Sequence, residues 1–140
     1  MIVIAGLWET GWSSPLKEAD CWEMVAREFG ATIAMAPVSG IHLSWDDGLV
    51  EHADMPAILA ALNLPAVFVD EGGSVELQEL VHPESCVYVF GKTSKSVLAL
   101  LRDGDQSVRI DSPGLQGMMW AHQAAAIVLR DRQVKSWQQP

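Results

Sequence analysis

Hydrophobic and polar positions along this chain alternate between two periods. Met1 to Leu7 is a β-branched, apolar run interrupted only by Gly6, and it reads as a first strand. Thr32 to Val38, Ala66 to Val69, Cys86 to Phe90 and Ser107 to Ile110 are further short apolar runs bounded by Gly, Pro, Asp or Ser, so five strands are predicted. Between them the spacing changes. Ala19, Trp22, Val25, Ala26 and Phe29 recur at intervals of three and four, predicting a helix over Lys17 to Phe29 that Gly30 stops. Met55 to Leu62 is a second helix, with Pro56 tolerated in its first turn and Pro65 beyond its end. Ser74 to Val81 reads as a short helix capped by Ser74. Ser94 to Leu101 reads as another, with Val97, Leu98 and Leu101 facing in, and Leu115 to about Arg132 as a long terminal one. Thr10 to Pro15 and Ser39 to Glu51 are loops, the latter with a turn at Trp45-Asp46-Asp47-Gly48. Tight turns fall at Asp70-Glu71-Gly72-Gly73, Asp103-Gly104-Asp105 and Asp111-Ser112-Pro113-Gly114.

Strands alternating with helices predict an α/β fold: a mainly parallel sheet of five or more strands with helices on both faces. Ligands of such sheets bind beyond the carboxyl ends of the strands, where the strand order switches. The loops after Val69, Phe90 and Ile110 are therefore the ones to read for chemistry. With 140 residues, 49% of them apolar and 19% charged, a single domain over residues 1–140 with one proper core is expected. The longest apolar runs, such as Ala124 to Leu129, are far shorter than the roughly 20 residues that span a bilayer. Met1-Ile2-Val3-Ile4 lacks a basic leader, and two isolated cysteines, Cys21 and Cys86, make no disulfide framework, so a cytoplasmic protein is expected. The net charge of −9 argues against RNA bound through clustered basic residues.

Lys92 and Lys95 form the sharpest local concentration of basic charge. They lie in Gly91-Lys92-Thr93-Ser94-Lys95-Ser96, ahead of a predicted helix whose free N–H groups could hold an anion. The plainer reading is a capped helix start with solvated lysines, and no phosphate-loop spacing is present. Asp70 and Glu71 could face ribose hydroxyls or a cation, with Gly72 and Gly73 permitting close backbone approach, but a tight acidic turn explains them as well. The four histidines, at positions 42, 52, 82 and 122, show no metal-binding spacing. Cys86 opens a buried strand and reads as an inert core thiol. The terminal helix carries Met118, Met119, Trp120, Ile127 and Leu129 over more than one face, and the first helix carries Trp22, Met24 and Phe29. Helices apolar over so much of their surface are buried in the core or against a partner, and homodimer contact is the reading preferred here.

The segments VYVFGKTSKS (Val87 to Ser96), VRIDSPG (Val108 to Gly114) and LQGMMWAHQAAAIVLRD (Leu115 to Asp131) resemble the SPOUT superfamily of knotted methyltransferases. Within it they are most similar to the SpoU-like tRNA/rRNA 2′-O-ribose branch. There a strand ends in FG before an ETxGL-type helix start, the next strand ends in IP, and a helix opens with S-[LM]-N. The front half agrees more loosely, through an early strand, a helix ending in Phe29-Gly30-Ala31 and the Trp45-Asp46-Asp47 segment. The resemblance implies a trefoil knot near the carboxyl end and S-adenosylmethionine held mostly by backbone groups. It implies Phe90, Gly91, Ile110, Leu115 and Met118 as the frame of that cofactor. It also implies a homodimer through the first and last helices.

The side chains that carry the family's chemistry are mostly replaced. Its first motif, an Asn, a Gly and a catalytic Arg, falls on Glu18, Asp20 and Met24. Met cannot take up a hydroxyl proton or hold a phosphate. Arg27, one helical turn on, is the nearest substitute and the catalytic candidate. Lys92 and Lys95 are the candidates for substrate phosphate. The second motif's Glu and Gly fall on Thr93 and Ser96, and the third motif's Ser and Asn on Gly117 and Met119. The expectation is an S-adenosylmethionine-dependent, RNA-methyltransferase-like protein. The rival readings are a catalytically silent dimeric module on the same scaffold and an unknotted flavodoxin-like or Rossmann-like domain. The absence of GxGxxG after the first strand weakens the dinucleotide-binding version of the latter.

Overall fold

The computed structural model describes residues 1–9, 15–41, 48–92, 95–112, 114 and 119–139, with the backbone alone at Pro15. Seven strands form one sheet: β1 (Ile2–Leu7), β2 (Thr32–Ala36), β3 (Leu49–Glu51), β4 (Ala66–Val69), β5 (Val75–Glu76), β6 (Cys86–Phe90) and β7 (Gln106–Arg109). Every pairing is parallel, and the order is β3-β2-β1-β6-β4-β7-β5. Three α-helices cover it: α1 (Pro15–Phe29), α2 (Met55–Leu62) and α3 (Ala121–Trp137).

The strand order dictates where the helices lie. From β1 the chain moves outward to β2 through α1, and from β3 it returns past β1 to β4 through α2. Right-handed crossovers in opposite directions place their helices on opposite faces. Accordingly Trp22 and Ala26 of α1 share a core with Ile4, Ile33, Met35, Val67, Tyr88 and Phe90. Met55, Ile58 and Leu59 of α2 pack on the alternate residues Val3, Ala5, Ala34, Phe68 and Val89. Ala124, Ala125, Val128 and Leu129 of α3 join the α1 side. The pattern-based helix α2 holds to the residue. Asp54 Oδ1 accepts the Ala57 N–H at 2.9 Å, and Asn63 ends the helix at φ 48°.

Four expectations need correction. Val75–Glu76 is an edge strand followed by a 3₁₀ turn at Leu77–Glu79, in place of a helix over Ser74 to Val81. Ser74 is held to β7 by its own N–H and hydroxyl, which bond Ser107 Oγ and Ser107 O, and this extends the chain. Only Leu98–Leu100 of the predicted Ser94 to Leu101 helix is helical, again as a 3₁₀ turn, with Val97 buried and Leu101 exposed. The last helix begins at Ala121 and runs to Trp137, later at both ends than its apolar stretch suggests. Leu49–Glu51 forms a third strand, β3, within the predicted loop Ser39 to Glu51. Residues Trp45 to Asp47 and Thr10 to Ser14 lie outside the described part of the structure.

Candidate functional site

The strand order reverses between β1 and β6, so a crevice is expected where their carboxyl ends part. Three loops meet there, after β4, β6 and β7, and they are tied to one another. The Asp70 N–H donates to Val108 O at 3.0 Å, fastening the first loop to β7. The Asp70 carboxylate accepts the Ser96 hydroxyl at 2.7 Å and the Gly72 N–H at 2.8 Å, joining the first loop to the second. Lys92 and Lys95 close the second loop through reciprocal N–H···O bonds of 3.1 and 2.8 Å. Arg109 donates to Gly73 O at 3.0 Å and pairs with Glu76 and Asp111. The glycines are required by contact. A Cβ on Gly91 would stand 2.3 Å from Lys95 O, and one on Gly73 would stand 2.2 Å from the Val108 carbonyl carbon.

The wall toward α1 is aromatic and acidic. Trp22 meets Phe90 edge-on with ring centroids 6.0 Å apart and meets His122 at 6.4 Å. His122 in turn stacks on Trp120. Gly6 leaves the room on β1 that the Trp22 ring fills. In the first turn of α1, Glu18 is 2% exposed and accepts the Glu9 N–H at 2.9 Å. Burial pushes the Glu18 carboxyl above the usual carboxylate range, against the Glu9 N–H and the positive charge of Lys92. Burial also holds His122 below the usual imidazole value, favouring its neutral form. Further along the edge, Glu51 accepts the Trp8 indole N–H, the Ser39 N–H and hydroxyl, and the Gly40 N–H. Burial pushes the Glu51 carboxyl up, but these donors outweigh it and hold it below the ordinary value.

Of the predicted site residues, the structure brings Phe90, Gly91, Lys92 and Lys95 to this edge. Phe90 is buried, Gly91 and Lys92 are half-buried and Lys95 is exposed. Ile110, just after β7, packs half-buried against the α1-side core. Leu115 and Met118 lie outside the described residues, as do Thr93 and Gly117. No α-helix starts after Lys95, so no helix N-terminus faces an anion here, and the predicted anion site reduces to the two lysines of a closed turn. Arg27 sits in the last turn of α1 beside Glu23, 3.2 Å away. Nine residues separate it from Glu18, about 13 Å along the helix axis, so it lies toward the opposite end of the sheet from the Phe90 loop. Sequence reasoning passed over Glu18 and Trp22 as site residues. An acid on the inward face of an amphipathic helix was the available signal, since Glu18 falls in the same stripe as Ala19 and Trp22.

No protein-family model matches the sequence, and no curated protein matches it. Solved structures do match. One, described for the 2-OH methylation of C/U34 on tRNA, superposes with a TM-score of 0.72 at 17% identity, covering 96% of this chain and 91% of that one. The TrmH/SpoU tRNA modifying enzyme of A. aeolicus gives 0.69 at 15% identity, over 98% and 75% of the two chains. The SpoU methyltransferase AviRb of Streptomyces viridochromogenes, in complex with the cofactor AdoMet, gives 0.68 at 16%, over 97% and 58%. The chain shares its fold with these SpoU- and TrmH-type structures, which bears out, at the level of fold, the resemblance to the SPOUT superfamily.

Proposed function

We propose that this chain is an S-adenosylmethionine-binding, RNA 2′-O-methyltransferase-like protein acting as a cytoplasmic homodimer of single α/β domains (residues 1–140), each with a trefoil knot near its carboxyl end. The observation that carries the reading is the junction at Asp70, which ties the loop after β4 both to β7 and to the loop after β6, beside the strand-order switch. A pocket made of backbone groups depends on loop shape, and here that shape is fixed by main-chain bonds and by glycines that admit no side chain. Phe90, Gly91 and Ile110 would frame the adenosyl group, with Leu115 and Met118 completing it. The buried acid and aromatic rings beside them suit a cationic sulfonium ligand. When bound, the cofactor would supply the methyl group. Lys92 and Lys95 would face the substrate phosphate, and Arg27 would serve only the edge of an adjacent subunit. Among the described residues, no helix is long and apolar enough to cross a membrane.

Calorimetry with S-adenosylmethionine tests this reading directly, followed by transfer of labelled methyl groups to total tRNA and mapping of ribose methylation. Saturable binding is expected. No heat and no thermal shift at millimolar ligand would remove the cofactor from the account.

One observation favours the second reading, a silent dimeric module. Met24, at the position of the family's catalytic Arg, is 71% exposed and carries no proton-accepting group. Binding of the cofactor without transfer to any RNA would select that reading.

A further inference from the structure

Resting on the reading of this edge as a cofactor site, we propose that Glu18 is the specificity-determining residue that favours S-adenosylmethionine, a sulfonium cation, over the neutral thioether S-adenosylhomocysteine. The two ligands share their adenosine, ammonium and carboxylate groups and differ in one methyl group and the charge on sulfur. Only a fixed charge or an oriented set of π-faces near the sulfur separates them strongly.

Glu18 is the buried acid of this edge, and among the described residues no Lys, Arg or His stands within ion-pair distance of it. Its hydrogen bond from the Glu9 N–H leaves acceptor capacity on the carboxyl unused. One turn along, the Trp22 indole N–H leans on the same carboxyl, yet it is buried without a hydrogen-bond partner among the described residues. A buried carboxyl and a buried indole N–H without a hydrogen-bond partner among the described residues thus lie one turn apart where α1 meets the Phe90–Gly91 loop, an expensive arrangement for a merely structural role. The groups facing Glu18 are few. Glu9 lies at the end of β1, Lys92 follows β6, His122 lies across Trp22 on α3, and Asp20 and Cys21 are on its own helix. His122 is kept neutral by burial, so Lys92 is the one described cation in the field of the carboxyl. A sulfonium arriving at this edge adds a second positive charge and stabilises the ionised acid, whereas a thioether does not. The half-buried Trp120 ring favours the same ligand charge.

The experiment is calorimetry of wild type and Glu18→Gln with each of the two ligands at several pH values between about 5 and about 8, from near the ordinary carboxylate range upward. The expected result is that Glu18→Gln lowers the affinity ratio of S-adenosylmethionine to S-adenosylhomocysteine on the order of tenfold at the upper pH, mainly by weakening the former. In wild type the ratio should fall as the pH is lowered, because Glu18 takes up its proton; in Glu18→Gln it should stay flat. A ratio that the substitution leaves unchanged, or a wild-type ratio flat across the range, overturns the proposal. If neither ligand binds wild type, the cofactor reading itself fails and the inference goes with it. Should Glu18→Gln not fold, the wild-type pH dependence decides the matter alone.

Discussion

At Gly91 a methyl group would have nowhere to go, because the backbone oxygen of Lys95 occupies its place at 2.3 Å. That oxygen is held by the Lys92 N–H, so the closed turn would have to open to make room. Gly91→Ala should cost about 1–3 kcal/mol of stability. It should also abolish S-adenosylmethionine binding even at temperatures where circular dichroism shows the fold intact. Retained binding would show that this turn is not part of the site. Glu51 offers a contrasting case, in which a single carboxylate gathers donors from Trp8, Ser39 and Gly40 and so pins the segment after β2. Its folded value lies below the unfolded one, so this contribution is complete above about pH 4.5 and is lost as the pH falls through the folded value. Glu51→Gln should cost about 1–2 kcal/mol at neutral pH and shallow the acid limb of the stability curve. Neither role could be read in the sequence. Gly91 is legible as a turn, but the atom it must avoid comes from a bridge between residues 92 and 95. Glu51 falls at the end of a predicted loop because three residues of β3 are too few for a period to show.

Among the elements, α3 is tied at both ends to β6, the strand that carries Phe90 and leads into Gly91. Near its start Trp120 and His122 stack beside Trp22. Toward its end, His82 bridges the Tyr88 hydroxyl and Asp131 at 2.7 Å on each side, Arg132 donates to Tyr88, and Lys135 pairs with Asp131. A neutral His82 satisfies this network, accepting from Tyr88 and donating to Asp131. Burial lowers its affinity for a proton; Asp131 opposes that, while Lys135 and Arg132 reinforce it. Because the folded value is below the unfolded 6.5, the stability it confers is complete above that pH and lost as pH falls through the folded value. Melting temperature should therefore drop on going from about pH 7 to pH 5.5, and His82→Gln should make that slope shallower, leaving the part that belongs to His122. An unchanged slope would place the titration elsewhere. Local pattern found β1, β2, β4, β6, β7, α1 and α2 because each is long enough to show its period and has marked ends. It failed over Ser74 to Val81 and Ser94 to Leu101, where spacings of three and four fit a helix but tertiary bonds decide otherwise. Ser107 draws Ser74 into an extended path, and Asp70 holds Ser96. The switch-point edge was legible from the alternation of strands and helices. The neighbours of Glu18 were not, since α1 meets the β6 loop only in three dimensions.

At the scale of the whole molecule, α1 and α3 lie side by side on one face of the sheet and leave apolar side chains outside the core. Met24 is 71% exposed, Leu16 63% and Ile127 40%, while Trp22 on the same helix is fully packed. On α1, Leu16 and Met24 thus stand exposed, Ala19, Trp22 and Ala26 are buried, and Val25 and Phe29 lie between. Among the described residues the first set lies outside the core, and in the proposed dimer a second copy of this face would cover it. Each copy carries a net charge of −9, so pairing must also overcome repulsion between like charges. These terms respond differently to salt. Apolar contact is barely affected or strengthened, and repulsion is screened within about 8 Å at physiological ionic strength. Sedimentation equilibrium should thus find a dimer whose association tightens as salt rises, the reverse of an assembly held by ion pairs. Met24→Glu should return it to a monomer without changing its circular dichroism, because Met24 lies outside the core and a carboxylate there is free to be solvated. A wild-type chain that stays monomeric at every salt concentration, or a dimer untouched by Met24→Glu, would place the interface elsewhere. It would also take from Arg27 the neighbouring site it needs to act on.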